Sequence, residues 1–265
     1  MRNKKIKNAV ILAGGYGTRM VTIAINDTIH KIPKVLFMVQ GTSVLEHIIQ
    51  NFYNFGVKNI IIATFYLSQN IDSFLKKHTW NINIKIVKEK EKMDTAGAIK
   101  YAVYNSDIIK DDFFLINGDT LCSANLDSLN NFYNKKKRTI MVLSPSKDLR
   151  NRVVEINKNY KILKTTLYPK RDLKKCILLK DKFLVNAGLY IIKFSDLNYI
   201  SETPAPIDGF IKKLTGLGKI FSFPTNSQYF NIGTPEELLK AENNWKGIYN
   251  HKLLNYKKLK IYKDK

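Results

Sequence analysis

Three glycines, an arginine and a lysine near the N-terminus have the types and spacing to hold a polyphosphate. The segment Leu12-Ala13-Gly14-Gly15-Tyr16-Gly17-Thr18-Arg19-Met20 follows directly on the apolar run Ala9-Val10-Ile11, and Pro33-Lys34-Val35-Leu36 comes soon after it. Gly14, Gly15 and Gly17 tolerate positive φ and let backbone N–H groups approach an anion, while Arg19 and Lys34 add charge-assisted donors. The spacing is neither a Walker motif nor G-x-G-x-x-G. On their own these residues fit a phosphate cradle and an unliganded strand-to-helix turn equally well. Asp119 is a second candidate, in Asn117-Gly118-Asp119-Thr120 behind the apolar run Phe113-Phe114-Leu115-Ile116. At the carboxyl end of a strand its carboxylate offers the hard oxygen that Mg²⁺ prefers. Asn-Gly-Asp is also turn composition, so an Asx turn would use the same residue.

Further blocks follow in order: Ser43-Val44-Leu45-Glu46-His47-Ile48-Ile49, Asp94-Thr95-Ala96-Gly97-Ala98-Ile99, Asn186-Ala187-Gly188-Leu189-Tyr190 and Phe230-Asn231-Ile232-Gly233-Thr234-Pro235-Glu236. With the two segments above, this series resembles the sugar-1-phosphate nucleotidylyltransferase family over roughly residues 8 to 245. The resemblance implies transfer of a nucleoside monophosphate from an NTP to a sugar 1-phosphate, with release of pyrophosphate and with Mg²⁺ as cofactor. It assigns catalysis to Arg19, Lys34 and Asp119, and nucleotide binding to Leu12, Ala13, Gly14, Gly15, Gly17, Thr18, Glu89, Thr95 and Ala96. The sugar phosphate falls to Gly118, Tyr168, Asn186, Ala187, Gly188 and Asp208, and the metal to Asp119 with Asn231. Such a site needs positive charge and positioning more than acid or base groups, because two polyanions must meet.

Three positions depart from the family. The stretch between Arg19 and Lys34 is longer, which suggests an extended lid over the triphosphate, with His30 on its surface. Leu167-Tyr168-Pro169 stands where Glu-Lys-Pro is common, so the lysine that grips the sugar phosphate is missing; Lys164, Lys170 or Tyr168 is left to fill the place. Asn231 replaces an aspartate, which would weaken a metal site without removing its oxygen. Aligned through the loop at Asp94, itself a glycine in many members, Glu89 falls where a side chain reads the base. A carboxylate only accepts hydrogen bonds, which suits the adjacent N1–H and N2–H₂ donors of guanine and favours GTP over UTP, CTP or dTTP. Glu89 also sits in the charge run Lys88-Glu89-Lys90-Glu91-Lys92, so an exposed side chain, or Glu91 in its place, stays open. The subfamily likeness leans toward heptose or mannose 1-phosphate guanylyltransferases of surface-glycan pathways, with a UTP-, CTP- or dTTP-dependent transferase on a hexose, hexosamine or non-sugar phosphate also open. A regulatory homologue that binds a nucleotide sugar without turnover is the alternative that the changes at Tyr168 and Asn231 support.

Forty-four Lys and Arg against 22 Asp and Glu give a net charge of +22. Such a field draws anionic substrates and could draw nucleic acid. The lysines are scattered, however, and no nucleic-acid recognition motif accompanies them; an A+T-biased genome would produce the same excess of Lys, Asn and Ile. Cys122 and Cys176 have no ligand spacing and fit a reducing compartment. No apolar run is long enough for a membrane span or a leader. The expected location is therefore the cytoplasm, with the oligomeric state open and a homo-oligomer among the choices.

The elements that must position these residues alternate in the first half. Strands are expected at 8–13, 57–64, 83–87 and 112–117, with helices at 43–55, 69–78 and 95–105 between them. The second half reads as a helix to about Lys135, strands at 139–143, 152–157, 160–165 and 183–192, a helix at 207–214, strands at 220–223 and 229–232, and a helix from Thr234-Pro235-Glu236 to about Tyr249. The fold class is α/β, a Rossmann-like mixed, mostly parallel sheet flanked by helices, with a β-rich sugar-binding sub-region inserted. One domain spans 1–249, about 8–125 for the nucleotide and about 126–249 for the sugar phosphate, and a basic tail fills 250–265.

Overall fold

The structure is a computed structural model that describes residues 4–17, 23–25, 28–147, 153–166, 177–179, 182–200, 204–247 and 260–261. The first half carries β1 (Asn8–Leu12), β2 (Ile23–Ile25), β3 (Thr28–His30), a 3-10 turn (Lys34–Leu36), β4 (Met38–Val39), β5 (Thr42–Ser43), α1 (Val44–Phe55), β6 (Asn59–Thr64), α2 (Ser68–Lys76), β7 (Asn83–Lys88), α3 (Asp94–Tyr104), β8 (Phe113–Asn117) and β9 (Thr120–Cys122). The second carries α4 (Leu126–Lys136), β10 (Thr139–Ser146), β11 (Val153–Ile156), β12 (Ile162–Thr166), β13 (Ile177–Leu179), β14 (Lys182–Ile192), a 3-10 helix (Phe194–Tyr199), α5 (Ile207–Gly216), β15 (Ile220–Pro224), β16 (Tyr229–Asn231), α6 (Pro235–Asn244) and β17 (Lys260–Ile261).

One mixed sheet runs β12-β11-β14-β8-β1-β6-β7, with β10 and β13 also paired to β14, β15 to β10 and β17 to β13. The pairs β8–β1–β6–β7 are parallel, as repeated strand–helix units require, and β10–β15 is parallel too. The long strand β14 runs antiparallel to β8 and to β10, and so joins the second half to the first. The inner parallel strands β1, β6 and β8 are largely apolar because both faces are covered, whereas β7 at the edge alternates with exposed Asn83, Lys85 and Lys88. Ala9 and Ile11, Ile60 and Ile62, and Phe114 and Ile116 enter one core cluster with α1 and α4. Their alternates Val10, Ile61, Ala63, Phe113 and Leu115 enter a second cluster with α3 and α5.

Local chemistry fixes the helix starts. Ser43 Oγ accepts from Glu46 N at 3.2 Å while Glu46 Oε2 accepts from Ser43 N at 3.1 Å, a reciprocal cap for α1. The helix stops where Gly56 takes φ +100°. Asn125 caps α4, and Thr234 with Pro235 starts α6. Helix α3 has no side-chain cap. Its Ala96 and Gly97 N–H groups donate instead to Ala205 O at 2.8 and 3.1 Å, and Ala205 N donates to Met93 O at 2.9 Å. That exchange ties the segment before α5 to the first half of the chain.

Most expected elements stand within a few residues of their expected bounds. The β-hairpin at Lys158-Asn159 is present, with Asn157 Oδ1 accepting from Asn159 N and Lys161 N. Helix α6, expected to reach about Tyr249, ends at Asn244. Beyond it Trp245 is extended and buried, its carbonyl accepts from Gln40 Nε2, and Lys246 N donates to Gln228 Oε1 at 3.0 Å. The insertion before Lys34 contains the hairpin β2–β3. Within the stretch 250–265, Lys260–Ile261 forms a strand on β13.

Candidate active site

A cleft of about 380 Å³ opens at the carboxyl ends of β1, β6, β7 and β8, where an open parallel sheet holds its ligands. Leu12, Ala13, Gly14, Gly15 and Tyr16 line it from the glycine segment, and Lys34 and Val35 from the 3-10 turn. The exit from β8 crosses close above β1. Gly118 N donates to Leu12 O at 2.8 Å, and a Cβ at 118 would lie 2.6 Å from that oxygen and 2.6 Å from Val35 Cγ1. Only glycine lets the backbone pass there, and the pass sets Asp119 beside the cradle.

Asp119 Oδ2 lies 3.5 Å from Lys34 Nζ, and both side chains are largely screened from solvent, at 14% exposure for Lys34 and 29% for Asp119. Gly17 takes φ +64°, with Lys34 Cγ 3.4 Å from where its Cβ would be. Asn231 stands next to this pair in register. It pairs with Thr120 across β16 and β9, and Ile232 N donates to Asp119 O at 2.7 Å. Tyr229, on the same strand, has its hydroxyl proton held more tightly than usual by burial first and by the Asp119 charge second.

Glu89 occupies the other end. It is buried at 6% exposure, whereas Lys88, Lys90, Glu91 and Lys92 around it are exposed, so it is not a member of a solvated run. Its Oε2 accepts from Met93 N at 3.2 Å, and its Oε1 lies 2.8 Å from where a Cβ on Gly14 would be. Burial raises its proton affinity above the usual carboxylate value, the Met93 N–H lowers it, and the nearby Asp94 charge raises it again. Tyr16, Phe65 and Tyr66 form an aromatic rim, with Tyr16 edge-on to Phe65 at 5.8 Å and tilted to Tyr66 at 5.4 Å.

Asn186 and Tyr190 of β14, with Asn117, line the side next to Asp119. Asn186 Nδ2 donates to Tyr190 Oη and its Oδ1 accepts from Gly188 N at 3.0 Å, so the asparagine locks the tyrosine. Gly188 takes φ +67° with its missing Cβ only 2.9 Å from Asn117 Nδ2, which lets β14 pass over Asn117.

Of the residues expected from sequence, the cleft gathers Leu12, Ala13, Gly14, Gly15, Lys34, Glu89, Thr95, Asp119 and Asn186. Gly17, Ala96, Gly118, Ala187, Gly188 and Asn231 lie in the elements around it, and Ala96 and Ala187 are fully buried. Asp208 is exposed on the first turn of α5, where Ile207 and not Asp208 meets the cleft. Thr18, Arg19, Tyr168 and Lys170 lie outside the described residues. Sequence reasoning passed over Tyr16, Phe65, Lys92, Asp94, Asn117, Tyr190 and Ile207 as lining residues. The aromatic pair right after the apolar run 59–64 was a usable signal for Phe65. Ile207 had none, because only the Ala205–Met93 exchange brings it there. Among the described residues no helix is long and apolar enough to cross a membrane, and no group of three His, Cys, Asp or Glu could hold a metal by itself.

Comparison with known proteins agrees with this fold. Mannose-1-phosphate guanyltransferase of Aspergillus oryzae is 28% identical over 243 residues, 88% of this chain and 62% of that protein. The bifunctional protein GlmU of Methanococcus vannielii is 28% identical over 246 residues, 89% of this chain and 54% of that protein. The chain thus spans little more than half the length of the curated relatives it matches. HddC of Yersinia pseudotuberculosis, solved with GMP-PN, shares the fold at a TM-score of 0.69 and 23% identity, over 91% of this chain and 100% of that one. A UDP-glucose pyrophosphorylase solved with UDP-glucose does so at 0.71 and 17%, over 90% and 98%. The model of the nucleotidyl transferase family matches residues 8–246, and the chain belongs to that family.

Proposed function

We propose that the chain transfers a nucleoside monophosphate, GMP from GTP by preference, to a sugar 1-phosphate and releases pyrophosphate. The observation that carries this reading is that one cleft holds Gly14–Gly15, the Lys34–Asp119 pair and the buried Glu89 at separate stations. An oxygen of the sugar phosphate attacks the α-phosphorus, the bond from that phosphorus to the bridging oxygen breaks, and its electron pair leaves on pyrophosphate. Lys34 neutralises the charge gathering on the phosphoryl oxygens, and the backbone at Gly14 and Gly15 positions the triphosphate. Glu89 orients the guanine, with Phe65 and Tyr16 at its rim. Tyr190, held by Asn186, and Asn117 face the sugar. Arg19, Thr18 and Tyr168 are proposed to contact the phosphates, residues 8–125 serving the nucleotide and 126–249 the sugar phosphate.

A Mg²⁺ ion fits the donors present. One partly exposed carboxylate, Asp119, with the neighbouring Asn231 amide suits an ion that keeps waters and takes substrate phosphates as ligands, and does not suit a closed protein cage. Bound there, it would supply positive charge at the phosphates. Asp119 then has two partners, and its separation from Lys34, at 3.5 Å, is loose enough for the ammonium to turn to the substrate. The similarity to guanyltransferases and the need for nucleoside triphosphates support a cytoplasmic enzyme supplying an NDP-sugar for glycan assembly.

The test is pyrophosphate release over four NTPs crossed with several sugar 1-phosphates. Turnover with GTP and a heptose or mannose 1-phosphate is expected, with kcat about a hundredfold lower in Lys34→Ala. No release with any pair, despite nucleotide-sugar binding, would favour the regulatory homologue.

A further inference from the structure

Asp94 is a carboxylate of the cleft that the reaction above leaves unused. It opens α3 at φ +55°, in the left-handed region that favours glycine, and it lines the cleft between Lys92 and Thr95. A charged side chain in a glycine-like conformation at a ligand site is a local cost that the fold keeps. The turn that carries it also wraps Glu89, since Met93 N donates to Glu89 Oε2, and the Asp94 charge acts directly on the Glu89 carboxyl. Two carboxylates therefore line the cleft close in sequence, on the turn between β7 and α3. One is fixed and buried; the other is partly exposed, with Lys92 Nζ 3.7 Å from Asp94 Oδ1.

We propose that Asp94 is a specificity-determining residue that, beside Glu89, completes a two-carboxylate reader for a purine carrying two adjacent donors. This deepens the guanine reading and rests on it. Guanine presents N1–H and the exocyclic N2–H₂ next to one another, one for each carboxylate. Uracil, thymine and cytosine place an acceptor in that pair and leave a carboxylate facing a lone pair, a repulsion that rejects them. Hypoxanthine keeps N1–H and lacks the amino group, so it separates the two acceptors. The Lys92 ammonium, 3.7 Å from Asp94 Oδ1, is the partner that the amino group would displace. Lys34, Asp119, Tyr16 and Tyr190 are the other titratable groups on the cleft wall, from the 3-10 turn, the end of β8, the glycine segment and β14.

The experiment is equilibrium binding of GTP, ITP and UTP, without sugar phosphate, to wild type, Asp94→Gly and Asp94→Asn. Glycine at 94 relieves the positive φ, so Asp94→Gly keeps the fold. Wild type is expected to bind GTP about tenfold tighter than ITP, and Asp94→Gly to bring the two within about twofold while GTP still outcompetes UTP. Asp94→Asn, which keeps one acceptor oxygen, should fall between. Equal weakening of GTP and ITP would make Asp94 a partner of Lys92 at the phosphates and overturn the proposal, as would an unchanged GTP to ITP ratio. A wild type that prefers UTP or another pyrimidine triphosphate would instead sink the guanine reading itself.

Discussion

At the scale of single residues, Glu89 shows how a binding site is set against stability. Its carboxyl is buried among the glycine segment and the Met93 turn, with the Asp94 charge nearby, and its folded-state proton affinity is raised. A raised affinity in the folded state favours folding below the usual glutamate range, and that contribution is lost as the pH climbs through the higher folded value. At neutral pH the ionised Glu89 is therefore a cost. Glu89→Gln is expected to raise Tm at pH 7.5, and the gain should shrink as the pH falls through the raised folded value and vanish below the usual glutamate range. Over the same variant, kcat/KM for GTP should drop against UTP by roughly ten- to a hundredfold, because an amide donor then faces a guanine donor in a buried pocket. Thermal melts across pH and the two kcat/KM values check both halves. A lower Tm at neutral pH would show that the carboxylate is better solvated than its burial implies.

At the scale of elements, the site is built by close passes of backbone, and these are what sequence shows least. The strand–helix alternation, the cap at Thr234 and the glycine stop at 56 were legible because each is a local rule that local residues obey. Gly14, Gly15, Lys34 and Asp119 were legible as members of one cleft through their order in the chain. The burial of Glu89 inside a run of exposed lysines was not legible, since periodicity cannot tell which member of an alternating charge run turns inward. Ile207 was hidden for a different reason: the Ala205 carbonyl that caps α3 lies about a hundred residues away in the chain. Gly118 marks the most confined pass. An alanine there would put its Cβ 2.6 Å from the Leu12 carbonyl oxygen and from Val35, so β8 and β1 must part. Gly118→Ala is expected to cost about 2 kcal/mol of stability and to lower kcat, as overpacking does when backbone must move. Gly15→Ala is the contrast, with nothing within 4 Å of its added carbon. It should unfold like the wild type by chemical denaturation, and any loss of activity in it reports the approach of the triphosphate. Equal stability in the two variants would mean that the pass at Gly118 relaxes freely.

At the scale of the whole molecule, the two halves share too much to unfold apart. Strand β14, from the second half, pairs with β8 of the first, and both core clusters draw side chains from both halves, Ile11 with Phe223 in one and Val10 with Ile211 in the other. Ala205 adds three backbone hydrogen bonds across the boundary, and Trp245 packs on His47 of α1 at 6.0 Å and on Phe230 at 6.2 Å. Separate domains would meet at a smaller and more polar boundary. One cooperative transition is the consequence, and the two tryptophans make it measurable. In Trp245→Phe, Trp80 reports the first half alone, from its place near α2, where Nε1 donates to Leu75 O at 3.1 Å. Far-UV circular dichroism reports the whole chain. The urea midpoints from the two signals should coincide, and GTP should move both upward together, because a ligand held at the carboxyl ends of the shared sheet stabilises everything that unfolds with it. A Trp80 midpoint below the circular dichroism midpoint, or a GTP shift seen by one signal alone, would make the nucleotide and sugar-phosphate halves independent units.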